Sequence, residues 1–173
     1  WSQMGADING EAANDQSGSA VSMSADGLRM AVGAIENTGG GASAGHVRVY
    51  SWSGTAWSQM GADINGEAAN DQSGSAVSMS ADGSRVVIGA VGNDGNGNNS
   101  GHVRVFSWSG TAWVQVGTDI DGEAAGDLSG YSVSLSADGL RVAIGALGND
   151  GSGRTDSGHV RVFSWSGTAW VQV

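Results

Sequence analysis

Tyr131-Ser-Val-Ser-Leu-Ser136, then Asp138-Gly139, then Leu140-Arg-Val-Ala-Ile-Gly-Ala146, His159-Val-Arg-Val-Phe-Ser-Trp165 and Ser166-Gly-Thr-Ala-Trp170 follow one another near the end of the chain. The first run alternates large with small polar residues, the period-2 pattern of a strand with one packed face. Asp138-Gly139 is a tight-turn pair, because glycine tolerates the positive φ of a short hairpin. The β-branched run from Leu140 predicts a second strand. A polar loop from Gly148 to Gly158 leads to an alternating third strand, and Ser166-Gly167-Thr168 turns into a fourth that starts at Trp170. No segment has helical periodicity. The expected unit is a four-stranded antiparallel meander.

The unit is repeated. Trp1-Ser-Gln-Met-Gly-Ala-Asp-Ile-Asn-Gly-Glu-Ala-Ala13 returns at Trp57 and, slightly altered, at Trp113; residues 1–27 and 57–83 are identical. The period is about 56 residues, and the extra residue of the third copy falls in the Leu147–Gly158 loop. A unit this small and glycine-rich buries too little alone, so each copy depends on its neighbours. Tandem four-stranded meanders suit the blades of a β-propeller; a β-solenoid is the alternative. The boundaries read as 1–16, a fourth-type strand and connection of a preceding blade; 17–72, blade 1; 73–128, blade 2; and 129–173, blade 3 with an incomplete outer strand. Beginning in mid-pattern, the chain reads as a processed chain or part of a longer one. Three blades do not close a ring, so further blades or copies of itself are expected partners.

Composition narrows the class. There are 17 acidic residues against seven basic ones, a net charge of −10, with no cysteine and no proline. That balance disfavours nucleic acid and anionic membranes, and no apolar run approaches a membrane span. Without cysteine there is neither a disulfide framework nor a thiolate metal site.

The order Tyr131-Ser-Val-Ser, Asp138-Gly139, Val142-Ala-Ile-Gly-Ala146 and Gly158-His-Val-Arg-Val-Phe163 resembles the FG-GAP repeat of integrin α chains and of many microbial and algal surface proteins. The resemblance runs through all three copies. It implies a non-catalytic, extracellular or cell-surface β-propeller module for adhesion or for binding a protein or glycan. The alternative is a structural subunit of a surface filament or extracellular matrix. Two departures stand out. No proline follows Gly33-Ala34, Gly89-Ala90 or Gly145-Ala146, and the turn where many members carry an Asp-rich calcium loop holds only Asp26, Asp82 or Asp138. One carboxylate cannot supply the roughly six to eight oxygens calcium takes.

Other oxygen donors keep calcium as the expected cofactor. Asp7, Asn9, Glu11 and Asp15 recur as Asp63, Asn65, Glu67 and Asp71 and as Asp119, Asp121, Glu123 and Asp127, on an irregular connection. The competing reading is that they cap turns and pair with arginines of the next blade. Asp94 and Asn96 begin a calcium-like loop without its closing glutamate, or belong to an ordinary loop. Asn98-Asn99-Ser100 fits a glycosylation sequon at Asn98. His46 with Arg48, His102 with Arg104 and His159 with Arg161 share one face of the third strands. Their recurrence in every copy argues for an inter-blade structural stripe, with Asp26 or Glu11 as partners, rather than for a catalytic base. There is no nucleophile elbow, phosphate loop or His-Glu-x-x-His motif, and the chain reads as no enzyme.

Overall fold

Each Asp-Gly pair closes the first hairpin of its repeat, with Gly27, Gly83 and Gly139 at φ of 71°, 66° and 70°. The aspartate secures the turn: Ser80 Oγ donates to Asp82 Oδ1 at 2.7 Å and the Ser84 amide at 2.9 Å. The computed structural model describes residues 1–173 apart from Ser152 and arranges them in three antiparallel sheets. The first holds β1 (Ser17–Met23), β2 (Arg29–Ala34), β3 (His46–Trp52) and β4 (Trp57–Gln59), with β5 (Ile64–Asn65) on the free end of β3. The second repeats this with β6 (Ser73–Met79), β7 (Arg85–Ala90), β8 (His102–Trp108), β9 (Trp113–Gln115) and β10 (Ile120–Asp121). The third comprises β11 (Ser129–Leu135), β12 (Arg141–Ala146), β13 (His159–Trp165) and β14 (Trp170–Gln172). Among the described residues no helix is long and apolar enough to cross a membrane. The fold is all-β, three blade-like meanders of about 56 residues.

Alternation decides which face packs where. Val86 and Ile88 point from β7 toward blade 1, joining Ala31, Val47, Val49 and Met79, whereas Val87 points the other way and joins Val103, Val105, Val142 and Ile144 at the seam with blade 3. Both faces of blade 2 are therefore buried, each valine gaining about 1.5 kcal/mol or more from leaving water. The first strands lie innermost and touch through short polar side chains: the Met79 amide donates to Ser22 Oγ and the Leu135 amide to Ser78 Oγ, both at 3.0 Å. At the outer edge each blade pairs two tryptophans, such as Trp108 and Trp113 with centroids 5.4 Å apart. Trp113 Nε1 then donates to Met60 O of the preceding outer strand at 2.9 Å.

Three features differ from the sequence reading. Residues 1–16 form no strand, since a fourth-type strand exists only as a ladder on a third-type strand, as β4 is on β3, and none stands before Trp1 in these 173 residues. They nonetheless pack on blade 1, Met4 O accepting from Trp57 Nε1 at 3.0 Å. β14, the outer strand read as incomplete, has three strand residues, as do β4 and β9. Finally, β5 and β10 lie within what reads as a polar connection. Two residues carry no periodicity, and only the ladder Val47↔Ile64 reveals the strand.

The Asp82 turn predicts a pH effect. Hydrogen bonds from the Ser80 hydroxyl and the Ser84 amide hold its carboxyl from the ordinary 3.8 down to about 2. A depressed folded value stabilises above the unfolded value and is lost as pH falls through the folded one. D82N is therefore expected to unfold at lower urea than the parent at pH 7, the difference closing by about pH 2. A gap that persists at that pH would assign the effect to packing instead.

Candidate functional site at the blade seams

Each third strand opens on a histidine immediately beneath the loop that joins it to the second strand. The following arginine, on the same face, crosses to the preceding connection: Arg48 Nη2 donates to Asn9 O at 2.8 Å, Arg104 Nη2 to Asn65 O at 2.8 Å and Arg161 Nη2 to Asp121 O at 2.6 Å. Each guanidinium lies over the next aromatic on its strand, 5.6 Å from Tyr50, 5.4 Å from Phe106 and 5.3 Å from Phe163. The glutamate of the connection completes the stripe, with Arg48 Nη1 3.6 Å from Glu11 Oε1, Arg104 Nη1 3.4 Å from Glu67 Oε1 and Arg161 Nη1 3.9 Å from Glu123 Oε1.

The histidines are less satisfied. His46 is 1% exposed, and neither ring nitrogen has a hydrogen-bond partner. Its Nδ1 lies 3.8 Å from both Glu11 Oε2 and Asp63 Oδ2, too far for a hydrogen bond. His102 repeats the arrangement at 3.8 Å from Glu67 Oε2 and 3.9 Å from Asp119 Oδ2, and His159 Nδ1 is 3.6 Å from Glu123 Oε2. Burial pushes the His46 imidazole below its ordinary value, against the pull of Asp63 and Glu11. Burial and then Arg104 do the same to His102, opposed by Asp119 and Glu67. Burial thus disfavours the charged form of both rings, and a neutral imidazole keeps a lone pair. The ligating atoms of Glu11, His46 and Asp63 lie within 4.8 Å of one another, as do those of Glu67, Asp71 and His102 and of His102, Asp119 and Asp121.

The carboxylates of the acidic connection are engaged in two different ways. Asp7, Asp63 and Asp119 accept from Gln3, Gln59 and Gln115 at 2.8, 2.7 and 2.7 Å. Asp15, Asp71 and Asp127 turn inward, cap their own turn through the amides of Ala12, Ala68 and Ala124, and accept from Asn37, Asn93 and Asn149 of the neighbouring loop. The glutamates, Asp63, Asp119 and Asp121 face the histidines, as does Asp71 at the second seam, where its Oδ2 is already engaged by the Glu67 and Ala68 amides and Asn93. Asp94 closes its own loop by accepting from the Asn99 amide, and Asn96 Nδ2 ties that loop to the connection after β10 by donating to Gly122 O. Asp26 lies in the hairpin with Ser24 and the Leu28 amide rather than against the stripe. Asn98 is exposed.

The Asp–Asn pin is absent from the sequence reading. Its signal is the return of Asn37, Asn93 and Asn149 at one position of loops that otherwise share chiefly glycines, such as Gly39, Gly95 and Gly151. Asn37 and Asn93 also receive a loop amide, Gly39 to Asn37 Oδ1 at 2.8 Å and Gly95 to Asn93 Oδ1 at 2.9 Å. All three loops thus leave the sheet from one scaffold.

Family comparison matches residues 65–106 to the FG-GAP repeat, from the end of β5 through Phe106 in β8. The matched stretch covers the first three strands of the second blade, and the blades before and after it repeat that blade in sequence and in strand order. No curated protein matches it in sequence. Among solved structures, a Bacteroides uniformis protein described as a "putative 6-phosphogluconolactonase" is similar at 14% identity and a TM-score of 0.58, over 88% of this chain and 39% of that one. Kuenenia stuttgartiensis hydrazine synthase is similar at 16% identity and a TM-score of 0.55, over 89% and 36%. Both similarities concern the propeller-type fold, and this chain spans well under half of either protein.

Proposed function

We propose that these FG-GAP blades form a non-catalytic recognition module, part of an extracellular or cell-surface β-propeller that binds a protein or glycan through its loop face. The observation that carries this is the pinned but divergent loop set. Asp–Asn bonds fix the base of all three loops, while the exposed tips differ: Thr38-Gly-Gly-Gly-Ala42, Asp94-Gly-Asn-Gly-Asn98 and the longer stretch from Asp150 to Asp156. A rigid scaffold under variable tips is what recognition requires. The polar groups beneath the loops recur from blade to blade, which supports binding or scaffolding over a single catalytic centre.

Assembly is the second reading, favoured by one face. Val160 and Val162 of β13 are 68% and 37% exposed, whereas their counterparts Val47, Val49, Val103 and Val105 are at most 2% exposed. Another blade of the same kind is the natural cover for that face.

The test presents the 173-residue protein to a glycan array and to a panel of immobilised matrix proteins. It does so beside a variant whose residues 150–156 are replaced by glycine and serine, and assays both for hydrolysis of 6-phosphogluconolactone. Saturable binding lost in the variant, with the melting temperature kept, supports recognition. Binding indifferent to the loop, no binding to either panel, or lactone turnover overturns it.

A further inference from the structure

We infer that the seam between the acidic connection and the third strand is a binding site for a divalent transition-metal ion of the Zn2+ type. Glu11, His46 and Asp63 are the ligands at the first seam, and His102, Asp119 and Asp121 those at the second, where Glu67 Oε2, 3.8 Å from His102 Nδ1, is a further donor. The decisive feature is His46, whose buried Nδ1 has no hydrogen-bond partner and points between Glu11 Oε2 and Asp63 Oδ2, 3.8 Å from each. A ring held there by packing alone leaves a desolvated nitrogen uncompensated, which is costly. A metal ion would satisfy the nitrogen and both oxygens at once.

The carboxylates are already oriented for it. Asp63 gives Oδ1 to Gln59 at 2.7 Å and turns Oδ2 to the imidazole. Glu11 has Oε1 toward Arg48 and Oε2 toward the imidazole. At the second seam Gln115 holds Asp119 Oδ1 at 2.7 Å, and Arg104 lies by Glu67 Oε1. Such outer partners fix first-ring ligands in known metal sites. With metal–ligand bonds of about 2.0–2.1 Å, two ligands of a tetrahedral ion lie roughly 3.4 Å apart. The gaps of 3.8 Å close by a small swing of carboxylates that remain 44% and 28% exposed.

The donor set selects the ion. Imidazole with carboxylate suits zinc, copper or nickel, whereas calcium takes oxygen alone. The seams also differ. Asp121 stands where the first seam has Asn65, adding one carboxylate to the second. That carboxylate is expected to make the second site tighter by about tenfold or more, on the scale of a lost supporting group.

Isothermal titration of tag-free, chelator-treated 173-residue protein with ZnCl2 provides the test, with Co2+ absorption as a spectroscopic check and CaCl2 as the contrast. Two saturable sites of unequal affinity are expected, the weaker lost in H46Q and the stronger in H102Q. Should either histidine variant fail to fold, E11Q and E67Q test the same sites from the half-exposed side. N65D is expected to bring the two affinities together, and D121N to weaken the stronger site. Absence of saturable Zn2+ binding, binding unchanged in the folded variants, or calcium binding as tightly as zinc overturns the assignment.

Discussion

Replacing Gly89 by alanine is expected to destabilise the protein by about 3 kcal/mol or more, while the same change at Gly145 costs under about 1 kcal/mol. The two glycines occupy one position of the repeat, in the second strand just before Ala90 and Ala146. A Cβ on Gly89 would stand 2.1 Å from Gly130 O, and one on Gly33 2.2 Å from Gly74 O. In both cases the obstacle is the backbone of the next blade's first strand, which cannot rotate away; the sheets must part, opening the seams lined by Val49 and Ile88 or by Val87 and Val142. On Gly145 the Cβ would meet Ser132 Oγ of its own blade, a side chain free to take another rotamer. Neither Gly89 nor Gly145 has a positive φ, so the contrast isolates space from backbone strain. Urea unfolding followed by tryptophan fluorescence reads the difference. Equal losses at the two sites would mean that the glycine is required within a blade and not between blades.

That glycine shows where sequence reading stops. The Gly-Ala pairs are visible as part of the FG-GAP resemblance, but their purpose lies in an approach between blades that no pattern within one repeat contains. The strands themselves were legible, since Tyr131 to Leu135 and His159 to Trp165 alternate, and each Asp-Gly hairpin announces its own φ. Trp1 to Met4 match Trp57 to Met60 in letters, yet within these 173 residues they have no third-type strand to pair with, so the match in letters alone does not form a ladder. The seam cluster was half legible. His46 and Arg48 were read as an inter-blade stripe and Glu11 as a partner, but Asp63 arrives only after a full strand and turn, and Asp26 was equally plausible in sequence. Period and spacing place residues on faces; they do not say which of several carboxylates the connection turns outward.

Removing the carboxylate of Asp71 is expected to cost about 3 kcal/mol, the sum of buried donors left without an acceptor. Asp71 is 2% exposed, and one oxygen, Oδ2, accepts from the Glu67 amide at 3.2 Å, the Ala68 amide at 3.0 Å and Asn93 Nδ2 at 3.3 Å. In D71A all three donors stay inside the fold, because the turn and the loop are held by other contacts, including the Gly92 amide on Asp71 O at 3.1 Å. N93A loses the shared bond and the one from the Gly95 amide, and is expected to cost about 2 kcal/mol. The double variant should then be less destabilised than the sum of the single ones, by the strength of that bond. Hydrogen exchange supplies a second readout: the Gly95 amide, bonded to Asn93 Oδ1 at 2.9 Å, should exchange faster in both variants, while the strand amides of β7 stay protected. Strictly additive losses, or a Gly95 amide indifferent to D71A, would show that turn and loop are stabilised separately. The recognition loops would then lack the common rigid base from which their divergent tips are argued to work.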